Sequence, residues 1–178
     1  RGNIAEAYHI LRSTNSFPEI TGRVCPAPCE KSCVLSIHEE PVAIRENECA
    51  TVEQAFEAGI IKPVPPKIRS GKKIAIIGSG PAGLSAADNL NRLGHYVTVF
   101  EKSDAIGGLL RYGIPDFKLN KRVIDRRMEI FIDEGIEFKT GIAVGKHIGI
   151  HELIITFDAV LIAVGAEVPR DLKIEGRG

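Results

Sequence analysis

The sequence has no long apolar run, no excess of either charge and few cysteines, and each shortage removes a class of protein. The longest apolar stretches, such as Ala159-Val160-Leu161-Ile162-Ala163-Val164, fall far short of the roughly 20 residues a bilayer span needs, so no membrane partner is expected. The 23 lysines and arginines balance 23 aspartates and glutamates. No like-charge block is present to recruit nucleic acid or anionic lipid, so no nucleic-acid partner is expected either. Four cysteines in 178 residues do not make a secreted disulfide scaffold. No basic-then-apolar leader opens the sequence, and a cytoplasmic setting is the expectation. Repeats, low-complexity stretches and any nucleophile or general-base constellation are missing as well. His38, His95 and His147 fall in turn-like contexts that suit solvated side chains.

What is there reads as ordinary globular protein: 44% apolar and 26% charged residues, enough for one medium core or for a small domain beside an incomplete larger one. The chain begins at Arg1 and stops at Gly176-Arg177-Gly178 straight after a strand-like run, so it reads as cut from something longer.

Ile4, Tyr8 and Leu11 stand at helical spacing, which predicts a short amphipathic helix ended by Phe17-Pro18. Pro26 and Pro28 then argue against regular helix through a cysteine loop. A second helix is expected over about Ile44 to Ala58, with Ile44, Val52 and Phe56 inward and Gly59 as its stop, or starting later at a Thr51/Gln54 capping box. Lys62-Pro63-Val64-Pro65-Pro66-Lys67 is a stiff connector and the best boundary, dividing a helical unit (1–62) from an α/β unit (63–178). Beyond it the pattern predicts a strand over Lys73 to Ile77, a helix over Pro81 to Leu93 and a strand over Tyr96 to Phe100. The helix is expected to bury Ala82, Ala86, Leu90 and Leu93. A helix near Val123 to Glu134, with Ile124, Met128 and Phe131 aligned, and strands at Ile136 to Phe138 and Asp158 to Val164 complete the expectation.

Gly78-Ser79-Gly80-Pro81-Ala82-Gly83 leaves the first of these strands and opens the helix, and Glu101 closes the next strand 23 positions after Gly78 (101 − 78). That is the dinucleotide fingerprint in its proper context. Gly78 permits the tight turn, Gly80 lets backbone approach a pyrophosphate, and Gly83 lets helix pack on strand. The helix start offers unpaired N–H groups and partial positive charge, and Pro81 costs little there. Glu101 can accept from ribose hydroxyls and would repel a 2′-phosphate, which disfavours NADP at this turn. The later run Ala105 to Pro115, with Gly107, Gly108, Leu109 and Arg111, is either a loop that meets a flat ring or phosphate or an ordinary glycine-rich surface loop.

Cys25, Cys29 and Cys33 supply three soft thiolates on a kinked loop. Iron–sulfur ligation suits them. Zinc usually takes paired C-x2-C knuckles, and structural or redox thiols are the remaining reading. The fourth ligand is either Cys49 or its neighbour Glu48, whose side chains would point about 100° apart on a helix.

Thr21-Gly22-Arg23-Val24-Cys25-Pro26-Ala27-Pro28-Cys29-Glu30, then Cys33, the Gly78 to Gly83 turn and Gly107 to Leu119 together resemble the small (β) subunit of NADPH-dependent glutamate synthase. The resemblance covers nearly the whole chain. Flavoprotein subunits of ferredoxin-dependent transhydrogenases and dihydropyrimidine dehydrogenase share the architecture and are the nearest competitors. A zinc-stabilised, non-enzymatic binding module is the reading from another class.

The resemblance implies a small α-helical iron–sulfur domain before a truncated α/β, Rossmann-type FAD-binding domain. It implies electrons passing from NADPH to FAD and through [4Fe–4S] clusters to the FMN- and cluster-containing large subunit, for glutamate synthesis. Carried over by position, Cys25, Cys29 and Cys33 match cluster ligands, and Glu48, after Pro41-Val42-Ala43-Ile44, matches the fourth. Gly78, Gly80, Pro81, Ala82, Gly83, Glu101, Lys102, Gly108, Leu109, Arg111 and Gly165 are the implied FAD contacts. The family's second four-cysteine set and its NADPH-binding glycine motif are absent from this sequence. NADPH would therefore act through a domain missing here, and the fragment alone is not expected to oxidise it.

Overall fold

A computed structural model describes residues 2–166; the expected end of the α/β unit, 167–178, lies outside the described residues. Four helices come first: α1 (Ile4–Thr14), α2 (Pro18–Val24), α3 (Pro28–Lys31) and α4 (Ile44–Glu57). The α/β part follows as β1 (Lys73–Ile77), α5 (Pro81–Arg92), β2 (Tyr96–Phe100), α6 (Leu109–Tyr112), α7 (Lys121–Asp133), β3 (Glu137–Lys139), α8 (Ile150–Thr156) and β4 (Ala159–Ile162). The sheet is parallel throughout, in the order β3-β2-β1-β4. Strand order therefore reverses at β1, and in such sheets ligands bind outside the carboxyl ends of the strands at this switch point.

One face of the sheet packs Ile76, Val97 and Val99 against Leu84 and Ala87 of α5 and Ile124, Met128 and Phe131 of α7. Phe17 and Ile20 join the same core, so α2 is anchored in the α/β unit. Ala75 and Phe100 on the other face pack against Leu153 of α8. Charge reinforces the contact between the two parts of the chain. The Arg12 guanidinium donates to both oxygens of buried Asp88, at 2.7 and 2.5 Å. Arg127 Nε donates to Glu19 Oε1 at 2.6 Å with both side chains buried.

Several expectations are corrected. Proline 18 does not simply end helix: at N1 of α2 it opens one, because a first-turn N–H has no partner to lose. Pro28 does the same for α3, so helical structure does run into the cysteine loop. No capping box delays α4, which starts at Ile44; Thr51 lies inside it and donates its hydroxyl to Asn47 O at 2.7 Å. On α5 the buried face is rotated from the expected stripe. Leu84, Ala87, Asp88 and Asn91 are buried, Ala86 and Leu90 only partly, and Ala82 and Leu93 are exposed. Apolar periodicity missed this because Asp88 and Asn91 are buried as polar groups. Arg12 pairs with Asp88, and Arg69 donates to Asn91 Oδ1 at 2.7 Å.

Candidate functional site

The turn after β1 takes the shape its glycines allow. Gly78 has φ +103, and a Cβ there would lie 2.5 Å from Ala163 O, just beyond β4. At Gly83 a Cβ would lie 2.0 Å from Gly78 O, so α5 can sit this close to the turn only with glycine. Gly80 differs from both. A Cβ built on it meets no protein atom within 4 Å, so its bare backbone faces open space. No side chain caps α5, whose N-cap is Gly80, and Pro81 occupies its first position. A helix start left this way presents N–H groups to an anion.

That space is a cleft of about 570 Å³. Gly78, Gly80, Pro81 and Ala82 line one side; Glu101 and Lys102 the end of β2; Gly108 and Leu109 the lip; and Gly165 the segment after β4. Two expected contacts stand apart. Gly83 lies behind the turn, where it permits packing. Arg111 directs its guanidinium to Ile106 O (Nε, 2.6 Å) and to the Asp125 carboxylate. The loop holding Gly108 presses on the turn, since a Cβ there would come 2.9 Å from Gly80 Cα.

Glu101 is buried and highly engaged. Its Oε2 accepts from the Ser79 N–H at 3.0 Å and the Ser79 hydroxyl at 2.5 Å, and its Oε1 accepts from the Ser103 N–H at 2.8 Å. Burial would raise its pKa, but the Ser79 hydroxyl and the Ser103 and Ser79 N–H groups outweigh this and hold it below the usual carboxylate value. Ser79, Ser103, Tyr112 and the Ile142 to Val144 segment are parts of the site that the sequence reading missed. Serine at the variable position of the fingerprint was the available signal for Ser79. Nothing in sequence marked Ile142 to Val144, which the sheet brings in from beyond β3.

The cysteines occupy the connection from α2 to α4. Cys25 is the C-cap of α2. Ala27, between two prolines, takes the left-handed conformation (φ 50), and its N–H points at Cys25 Sγ, 3.4 Å away. A residue before proline is disfavoured in the right-handed helical region, which removes the usual alternative. Cys29 follows on α3 and is exposed. Cys33 precedes a short 3-10 turn (Val34–Ile37), and N–H groups of Val42, Leu35 and Ser36 hold its thiol below the ordinary value. Glu30 accepts from the Arg45 N–H at 2.9 Å and so caps α4 from across the loop.

Glu48 and Cys49 both sit half-buried on α4. Cys49 lies at the crossing with α2: a Cβ on Gly22 would be 2.7 Å from Cys49 Cβ. All four cysteines are free thiols. Among the described residues, no three His, Cys, Asp or Glu side chains converge tightly enough to hold a single metal ion, and no helix is long and apolar enough to cross a membrane. His38 is exposed, His95 Nδ1 lies 2.7 Å from Ser70 Oγ, and His147 sits in a surface turn.

The cysteine segment is tied to the core of the α/β unit. Val24, the residue before Cys25, packs on the core that holds Leu110 and Ile106, next to the lip of the cleft.

Comparison with known proteins gives two family matches: "Dihydropyrimidine dehydrogenase domain II, 4Fe-4S cluster" over residues 1–60, and "NAD(P)-binding Rossmann-like domain" over residues 76–137. Glutamate synthase (NADH) of Schizosaccharomyces pombe is 55% identical over 174 residues, 97% of this chain and 8% of that protein. The glutamate synthase (NADPH) small chains of Bacillus subtilis and Mycobacterium tuberculosis are 53% and 51% identical over 177 residues. In both cases the match takes in 99% of this chain and 36% of the relative, so the chain spans about a third of those small chains.

Proposed function

The chain is homologous along nearly its whole length to the small chains of glutamate synthase, and on that premise we propose that it is an electron-transfer segment holding FAD beside a [4Fe–4S] cluster. The observation that carries the reading is the anchoring of α2, next to Cys25, in the core of the α/β unit. Cys25 is the C-cap of α2, and Phe17, Ile20 and Val24 pack into the core that also holds Leu84 of α5 and Leu110 of α6. Electron transfer needs its cofactors at a fixed separation, and a common core supplies that rigidity.

The chemistry of the residues present suits each group. For FAD, the open face of Gly80 and the uncapped start of α5 would take the pyrophosphate, and Glu101 a ribose hydroxyl. The Glu101 carboxylate would repel a 2′-phosphate, which favours FAD over NADP at this turn. Lys102, Gly108, Leu109 and Gly165 would bound the rest of the dinucleotide, with Arg111 holding the lip in shape through Asp125. For the cluster, Cys25, Cys29 and Cys33 supply thiolates, two of them already facing backbone N–H donors of the kind that stabilise negative sulfur. Glu48 is the fourth ligand in this reading, since Cys49 packs against Gly22. When bound, the flavin supplies the conversion between two-electron and one-electron transfer, and the cluster the one-electron relay.

In the full-length setting NADPH would act as donor from the part of the small chain that this segment does not span. The large subunit, with FMN and cluster, would be the acceptor for glutamate synthesis, in the cytoplasm. The helical unit (1–62) serves as cluster domain and the remainder (63–178) as flavin domain.

The test is anaerobic purification of the full-length polypeptide, with iron, sulfide and flavin analysis beside the absorption spectrum. Iron, sulfide and a flavin band are expected. A colourless, zinc-containing protein would refute the reading. A nicotinamide nucleotide retained in place of flavin would favour the alternative that the Rossmann-like match raises for this cleft.

A further inference from the structure

We infer that Ser79 is a positioning residue of the cleft, whose hydroxyl ties Glu101 at the end of β2 to the Gly107–Gly108 loop and aims the carboxylate at a ribose hydroxyl. The inference rests on the reading that this cleft takes FAD.

Ser79 is fully buried between the first two glycines of the turn. A buried hydroxyl is unfavourable unless paired, and this one is paired twice. It donates to Glu101 Oε2 at 2.5 Å and accepts from the Gly107 N–H at 3.1 Å. The Ser79 N–H adds a second bond to Oε2 (3.0 Å), and the Ser103 N–H holds Oε1 (2.8 Å). A carboxylate offers about four acceptor positions. Ser79 and Ser103, through backbone N–H groups and hydroxyls, engage most of these and hold the carboxylate in one orientation at the edge of the cleft. Glu101 is thus not a loose ribose hook; it is set in place before any nucleotide arrives.

The same hydroxyl governs the lip. Gly107 and Gly108 both have positive φ (+127 and +51), and Gly108 lies against Gly80. The Gly107 N–H has its bond at Ser79, so the loop that presses on the bare backbone of Gly80 is pinned to the turn itself. One side chain therefore aligns the ribose acceptor and closes the loop that bounds the pyrophosphate. Preorganisation of this kind increases affinity by removing ordering from the binding step.

The test uses Ser79→Ala in the full-length polypeptide. FAD affinity is measured on apoprotein by quenching of flavin fluorescence. ADP and 2′,3′-dideoxy-ADP then compete for the site, reporting how much the ribose hydroxyls matter. In the parent protein, loss of those hydroxyls should weaken binding about tenfold, as for a hydrogen bond to a charged group. In Ser79→Ala, FAD affinity should fall roughly tenfold to a hundredfold, and the ADP to dideoxy-ADP ratio should shrink to within about twofold of unity. Global weakening of the fold would lower affinity and leave the ratio alone, so the ratio isolates positioning. Unchanged FAD affinity, or a ribose penalty equal to that of the parent, would overturn the inference. Should Ser79→Ala fail to fold, Ser79→Cys, near in volume but a weak donor, carries the same comparison. A parent protein that binds neither FAD nor ADP would overturn the FAD reading itself, and this inference with it.

Discussion

The contact between Arg127 of α7 and Glu19 of α2 is the most demanding element of the fold and gives its sharpest stability prediction. The side chains are 2% and 0% exposed, joined by one bond of 2.6 Å from Arg127 Nε to Glu19 Oε1. Among the described residues, Arg127 Nη2 and Glu19 Oε2 have no hydrogen-bond partner. Phe56 and Phe131 lie beside the guanidinium, at 5.4 and 5.9 Å. Arg127→Met leaves the Glu19 carboxylate buried and uncompensated, and should cost about 3–5 kcal/mol. Glu19→Leu should cost a similar amount by stranding the cation. The double variant, Glu19→Leu with Arg127→Met, buries no charge, and should lie between parent stability and about 4 kcal/mol above it. The two changes are therefore strongly non-additive. Urea unfolding followed by circular dichroism on the four proteins measures this directly. If Arg127→Met alone shifts stability by less than about 1 kcal/mol, a surface value, α2 is not locked into the α/β core as described.

Four further outcomes follow from the packing and charge of the fold. Gly83→Ala puts a Cβ 2.0 Å from Gly78 O and should destabilise by about 3 kcal/mol, the upper end of overpacking, read as a lowered urea midpoint. Leu84→Ala should cost about 2–5 kcal/mol while Leu93→Gln, at a position 71% exposed, should stay within about 0.5 kcal/mol; equal effects would contradict the assigned face of α5. Glu53 is buried enough to favour protonation, yet the Arg126 and Arg23 guanidiniums hold its pKa below the ordinary 4.5. A depressed carboxylate pKa stabilises above the unfolded value, and that contribution is lost as pH falls below about 4.5 through the folded value. Glu53→Gln should therefore flatten the acid limb of the stability profile and lower stability at neutral pH. Gly22→Ala should push α2 off α4, since its Cβ would sit 2.7 Å from Cys49 Cβ, and lower stability by about 1–3 kcal/mol.

Much of the α/β unit was legible because its signals are local. The β-branched run 73–77 and the run 96–100 end where the strands end, and the fingerprint glycines sit where their lack of a side chain is needed. Helix α7 was readable from Ile124, Met128 and Phe131, although Asn120, not an apolar residue, sets its start by accepting from the Arg122 N–H. What escaped depends on partners distant in sequence. Asp88 and Asn91 look like a solvent face until Arg12 and Arg69 arrive to bury them. Prolines 18 and 28 stop one element and start another, and only packing of Phe17 and Ile20 shows which role dominates. Short α8 carries its apolar residues without a clear period and is held by Leu153 against Ala75 and Phe100. At the site, residue types were readable but their duties were not. Glu101 was expected to meet a ribose, and most of its acceptor capacity goes to Ser79 and Ser103; Arg111 was expected to offer charge, and Asp125 takes it.

The flavin content of Gly80→Val tests the central claim most directly. Gly80 is the one fingerprint glycine whose side-chain direction meets no protein atom, so valine there fits the fold and fills only the space assigned to the pyrophosphate. The full-length variant should be folded, with parent-like circular dichroism and thermal midpoint, and should be purified without FAD. Parent-level flavin in a folded Gly80→Val protein would contradict the account.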